Sequence, residues 1–97
     1  MFELAWTVEA EEAYKLLKGD PSRKKRYRAV KKTITFLSKN PRHNSLQTHE
    51  YSSLRGPDNE KVFEAYAEQN TPAAYRIFWY YGSSKGMIII IAITSHP

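Results

Sequence analysis

Apolar positions recur along this chain with two different periods, and the change of period separates a helical first part from an extended second part. Ala10, Ala13, Leu16 and Leu17 fall at three- and four-residue steps, the stripe of a helix with one buried face. Thr7 stands before them as an N-cap. Glu9, Glu11 and Glu12 occupy the first turns, where the helix dipole favours negative charge, and Lys15 and Lys18 the last. Gly19 ends this helix, and Asp20-Pro21 begins another, with Asp20 as cap and Pro21 at the first helical position, where its missing N–H costs nothing. Tyr27, Val30, Ile34 and Leu37 keep the helical period to about Lys39. Asn40-Pro41 stops it, because the residue before a proline is pushed out of the helical region. The spacing predicts two antiparallel helices joined by a tight turn.

The remaining segments read as extended. Residues 2–6 are rich in strand formers and predict a first strand. Residues 62–68 alternate, with Phe63, Ala65 and Ala67 on one face and Val62, Glu64, Tyr66 and Glu68 on the other. Residues 74–81 form an aromatic strand interrupted by Arg76, and residues 87–94 are β-branched enough for a central strand covered on both faces. Residues 42–61 have no clear period and hold both internal histidines, so they predict a long loop pinned by Tyr51, Leu54 and the Gly56-Pro57-Asp58-Asn59 turn. The expected fold class is α+β: one domain over residues 1–97, an N-terminal strand and helical hairpin packed on a three- to four-stranded, mostly antiparallel sheet. The helices should cover one sheet face and leave the other face, or its rim, for function.

Charge changes the picture more than composition does. Residues 15–42 carry eleven of the fifteen Lys and Arg side chains against one acid, Asp20, so this segment is +10 and the rest of the chain −5. Arg23, Lys24, Arg28, Lys31 and Lys32 lie around the polar side of the second helix. Such a concentration attracts a polyanion or an acidic protein, because steering follows local charge density; a solvated helix face is the bland alternative. The absence of cysteine excludes disulfide and thiolate chemistry and fits the cytoplasm. The longest apolar run, residues 87–93, is too short to span a bilayer as a helix, so no membrane partner is expected.

No metal-ligand spacing, phosphate-binding loop or dinucleotide fingerprint is present, so no cofactor or metal is expected. His96, just past the most apolar strand, has the chemistry of a general acid or base near neutral pH; it is also a penultimate residue, where fraying is common. Arg76 should share a face with Phe78 and Tyr80. There its planar guanidinium could meet a phosphate, or pair with Glu64 or Glu68 on the neighbouring strand. His43 suits a role in fixing the turn after Pro41, whereas His49 could meet RNA. Tyr66 and Tyr80 are either sheet packing or base-stacking platforms. Metal-free RNA cleavage needs a base for the 2′-OH, a cation for the developing charge and an acid for the leaving oxygen, and these residue types supply all three.

The order of motifs resembles the RelE/ParE superfamily of toxin–antitoxin toxins. The resemblance rests on Ala5-Trp6-Thr7, Asn40-Pro41-Arg42-His43, Ser45-Leu46-Gln47-Thr48-His49, Val62-Phe63-Glu64-Ala65-Tyr66, Tyr75-Arg76-Ile77-Phe78 and the closing Ile93-Thr94-Ser95-His96, which together cover essentially the whole chain. It implies one of two activities: a ribosome-associated mRNA endoribonuclease, or a non-catalytic inhibitor of DNA gyrase. An inactive RNA-binding relic is a third possibility. Histidines at positions 49 and 96 resemble those of the nucleases. The implied roles are His96, Arg76, His49 and Glu64 in catalysis, and Arg23, Lys24, Arg28, Lys31, Lys32, Tyr66 and Tyr80 in substrate binding. The implied partners are a cognate antitoxin, the ribosome and mRNA, or alternatively gyrase.

Overall fold

A computed structural model describes residues 1–95. Strand β1 (Glu3–Trp6) leads into helix α1 (Val8–Gly19), a 3₁₀ turn (Pro21–Arg23) and helix α2 (Lys24–Lys39). A second 3₁₀ turn (Asn44–Leu46) precedes strands β2 (His49–Arg55), β3 (Lys61–Tyr66), β4 (Tyr75–Tyr81) and β5 (Met87–Ser95). The strands form one sheet in the order β1-β5-β4-β3-β2, with β1 parallel to β5 and every other pair antiparallel.

Local chemistry sets these boundaries as expected, with refinements. Thr7 caps α1 by accepting from the Ala10 N–H (3.2 Å), and its hydroxyl donates to the Ile91 carbonyl (3.1 Å). That second bond answers a need in the sheet. The β4–β5 register shifts, with Phe78 facing Ala92 and Trp79 facing Ile90, so Ile91 is an extra residue whose carbonyl the helix cap satisfies. Asp20 accepts from both the backbone N–H (3.0 Å) and the hydroxyl (2.7 Å) of Ser22, and these bonds hold its carboxyl below the usual carboxylate range. The chain first turns as a 3₁₀ segment and widens into α2 only at Lys24.

The helices cover one sheet face. Ala10, Leu17, Val30 and Leu37 meet Phe63, Ala65, Ile77, Trp79, Ile88, Ile90 and Ile93 in the main core. Leu16 differs from the expected stripe: it is 75% exposed, while Leu17 is buried. On the opposite face Val62, Phe78 and Tyr80 form a second, smaller apolar cluster, with the Tyr51 ring edge-on to Phe78 at 5.0 Å.

The sheet has five strands rather than three or four. The additional strand is β2, within the segment expected to be a loop. It is an edge strand whose residues are exposed on both faces apart from half-buried Tyr51. With no face to bury, its sequence carries no alternation, although its backbone pairs with β3.

Candidate functional site

The sheet register gathers four polar or aromatic side chains on the face away from the helices. His49 on β2 lies opposite Glu64 on β3, and Tyr66 on β3 lies opposite Arg76 on β4. Arg76 in turn lies opposite Thr94, near the end of β5. Because side chains alternate along a strand, Glu64 and Tyr66 share a face, and the register carries His49 and Arg76 to the same side.

Glu64 is the centre of this group and is fully buried. Removing a carboxylate from water is costly unless charged or hydrogen-bonding neighbours compensate. Here Oε1 lies 2.9 Å from Nε2 of His49, and Oε2 lies 3.7 Å from Nε of Arg76. The guanidinium is fixed further: Nη1 donates to the carbonyls of Glu68 (2.7 Å) and Tyr75 (3.3 Å), and the group stands 3.8 Å from the centre of the Tyr66 ring. Tyr66 also meets His49 edge-on at 5.6 Å.

The other nitrogen of His49 fixes the ring. Nδ1 lies 3.0 Å from the Gln47 carbonyl oxygen, which can only accept, so Nδ1 carries a hydrogen. Gln47 ends the 3₁₀ turn with φ at 47°, a left-handed conformation that costs a non-glycine residue roughly 1–2 kcal/mol. Sequence reasoning missed Gln47, because glutamine is not a residue that marks this conformation.

The other sequence candidates divide into three groups. Arg23, Lys24, Arg28, Lys31 and Lys32 are exposed on the helical side, with Arg23 turned toward Asp20 (3.6 Å) and the Tyr75 hydroxyl (3.4 Å). Arg26, a neighbour in the same basic run, is withdrawn from that face. It pairs with Glu68 at 2.8 Å, donates to the Pro72 and Ala73 carbonyls, and covers the Tyr75 ring. Tyr80 is buried against Val62 and Phe78, which pushes its phenol pKa up, with the charges of Glu60 and Asp58 adding to the effect. Packed in this way, Tyr80 belongs to the sheet's second core and is not an open platform for a base. His43 does organise its turn: its Nδ1 accepts from the Ser45 N–H at 3.1 Å. His96 lies outside the described residues.

Arg76 and Glu64 are thus brought together with His49 and Tyr66, while the cationic helix lies on the other side of the sheet. The two regions approach at a pocket that Lys32 and Tyr66 both line. Among the described residues, no group of three or more His, Asp or Glu side chains is placed to hold a metal ion, and no helix is long and apolar enough to cross a membrane.

Comparison with solved structures places this architecture. The chain is similar to the YoeB/ParE toxin from Agrobacterium tumefaciens, with a TM-score of 0.71 at 16% identity, covering 99% of this chain and 100% of that one. The fold is that of the RelE/ParE toxins. A second likeness, to a chain of the archaeal RelE–RelB complex from Pyrococcus horikoshii OT3, has a TM-score of 0.65 at 16% identity over 97% of this chain and 93% of that one. No protein-family profile and no curated protein sequence matches the chain. The RelE/ParE likeness therefore resides in the arrangement of strands and helices.

Proposed function

We propose that this chain is the toxin of a type II toxin–antitoxin pair and cuts mRNA on the ribosome without a metal ion. The observation that carries this reading is the buried Glu64 carboxylate set between His49 and Arg76, beside the end of β5. Nη2 of Arg76 makes no bond among the described residues, which leaves two directed N–H donors for the non-bridging oxygens of a scissile phosphate. Glu64 has no surface of its own, so its part is positioning: it holds Arg76 and His49 from beneath. His96, which follows β5 in sequence, carries the proton transfers to and from the reacting oxygens. The exposed cations of α2 bind ribosomal RNA phosphates. The cytoplasmic ribosome is the setting, and the partner is an antitoxin with an acidic segment complementary to the +10 region, as RelE is paired with RelB in the archaeal complex.

A second reading has its own observation. Arg76 is held by Glu64, Glu68, Tyr75 and Tyr66, the arrangement of a guanidinium that locks strands together rather than one waiting for substrate. That favours a binding toxin acting on gyrase. The two are separated by adding the protein to a translation reaction and, in parallel, to a gyrase supercoiling reaction. The nuclease reading expects new mRNA ends that disappear with His96→Ala while the fold persists. Identical ends from His96→Ala would remove that residue from the chemistry. Loss of supercoiling with intact mRNA would replace the nuclease reading with the gyrase one.

A further inference from the structure

The pocket between α2 and the end of β3 has a volume of about 310 Å³ and is distinct from the Glu64 cluster, although the two share Tyr66. Its wall includes Lys32 and Phe36 from α2, His43 from the turn after Pro41, and Tyr66 and Gln69 from the end of β3 and the loop beyond. Phe36 and His43 are stacked, with ring centres 4.6 Å apart and planes inclined by 15°. Because Nδ1 of His43 accepts the Ser45 backbone N–H, its ring hydrogen sits on Nε2, giving a fixed donor. Lys32 reaches over the Phe36 ring at 5.8 Å, so a cation stands at an aromatic surface.

These are the parts from which proteins build sites for unpaired nucleotides: rings for the base face, an amide and an imidazole N–H for its edge, and a cation for the phosphate. The volume lies at the small end of ligand pockets, suited to one nucleotide rather than a helical peptide. Position adds to the argument. The Tyr66 ring that borders the pocket is the one beneath the Arg76 guanidinium, so a strand with a phosphate at Arg76 can cross Tyr66 and reach the pocket.

We propose that this pocket binds one nucleotide of single-stranded RNA, with its base against the aromatic wall and its phosphate on Lys32, and so selects where the RNA is cut. The selection role rests on the nuclease reading above; the binding role does not. The test is a titration of the ¹⁵N-labelled wild-type chain with AMP, GMP, CMP and UMP in turn, followed by amide spectra. Saturable shifts at Phe36, His43, Ser45 and Gln69, stronger for one base than the others, are expected. Ala29→Met puts a longer side chain into the same pocket without disturbing helix propensity, and it should weaken that binding about tenfold or more. Gln69→Ala, at an exposed loop position, should reduce the difference between bases.

Absence of saturable shifts at these amides overturns the site, as does unchanged affinity in a folded Ala29→Met protein. Shifts confined to other surfaces, or produced equally by free phosphate and by an acidic peptide, also overturn it. In a translation reaction, Ala29→Met should redistribute the cut positions along an mRNA, and an unchanged distribution would overturn the selection role. If the wild-type chain cuts no RNA, the nuclease reading and the selection role fall together, and the titration alone decides whether the pocket is a nucleotide site.

Discussion

His49 and Glu64 meet at 2.9 Å, through Nε2 and Oε1, while the opposite nitrogen of the same ring is directed at the Gln47 carbonyl 3.0 Å away. Both ring nitrogens therefore face oxygen. The Nε2–Oε1 approach is at ion-pair distance but outside hydrogen-bond geometry, so the Gln47 carbonyl is what fixes the ring. Glu64→Gln keeps the shape but replaces the carboxylate with an amide whose N–H can donate to Nε2. The imidazole should then be held as the single tautomer with its hydrogen on Nδ1, readable from the ¹⁵N chemical shifts of the ring. Equal ring shifts in the wild type and the variant would show that the Glu64 carboxylate does not act on the ring.

The Glu64–Arg76 pair should behave as a unit. The side chains are 0% and 13% exposed, so removing one partner strands the other in a poorly solvated place. Glu64→Ala is expected to lower unfolding stability by about 3 kcal/mol. Arg76→Met should also destabilise, because the buried Glu64 carboxylate then loses the guanidinium 3.7 Å away. The double variant should be less damaged than the sum of the singles, with a coupling of about 1 kcal/mol or more by urea denaturation. Additive losses would mean that the 3.7 Å approach between them contributes nothing.

Leu16 and Leu17 are adjacent in sequence and opposite in consequence. Leu17 is 3% exposed inside the main core and Leu16 is 75% exposed. Leu17→Ala should cost about 3 kcal/mol, and Leu16→Ala no more than about 0.5 kcal/mol. Thermal unfolding of the two variants side by side checks this.

That contrast shows what the sequence could and could not reveal. Periodicity places Ala10, Val30 and Leu37 correctly, because a helix that buries one face must repeat every three to four residues. It also separates Phe63 and Ala65, which enter the main core, from Glu64 and Tyr66, which meet Arg76 on the other face. It does not discriminate neighbours at the edge of the stripe, such as Leu16 and Leu17. β2 was illegible for a different reason: an exposed edge strand is defined by backbone pairing, which leaves no trace in side-chain polarity. The site was legible as residue types, since Arg76 interrupts an apolar strand and Glu64 sits on the polar face of an alternating one. For Arg76 the sequence already offered Glu64 or Glu68 as partner, and the structure sets both beside it; the meeting of His49 with Glu64 was not legible, because it depends on the β2–β3 register.

The helical hairpin contains a pH-sensitive contact. Tyr14 donates to the Tyr27 hydroxyl at 3.4 Å, and burial, the bond and the neighbouring phenol together push its pKa up from 10.0 to about 12. The folded chain therefore keeps this proton over a range in which the unfolded chain has lost it. The associated stability is complete below about pH 10 and declines as the pH rises toward 12. Tyr14→Phe has no proton to lose, so the stability difference between wild type and variant should shift in the variant's favour across that window. Parallel denaturant titrations at pH 9 and about pH 11 measure it. A difference that does not change with pH would show that the phenol ionises equally in both states.

The last prediction concerns the opposing demands placed on the start of α2. Its first turn contains no acid and carries Lys24 and Lys25, the sign that the helix dipole disfavours there. A chain selected for stability alone would place Asp or Glu in this turn, as α1 does with Glu9 and Glu11. Lys24→Glu should therefore raise stability by roughly 0.3–1 kcal/mol. If these cations grip RNA phosphates, the same change should weaken ribosome association. It should also reduce the dependence of log K on log salt by about 0.9 for one phosphate no longer neutralised. Gain of stability together with weaker, less salt-dependent binding identifies the turn as a binding surface maintained against helix energetics. Gain of stability with unchanged binding would leave Lys24 as ordinary solvated charge.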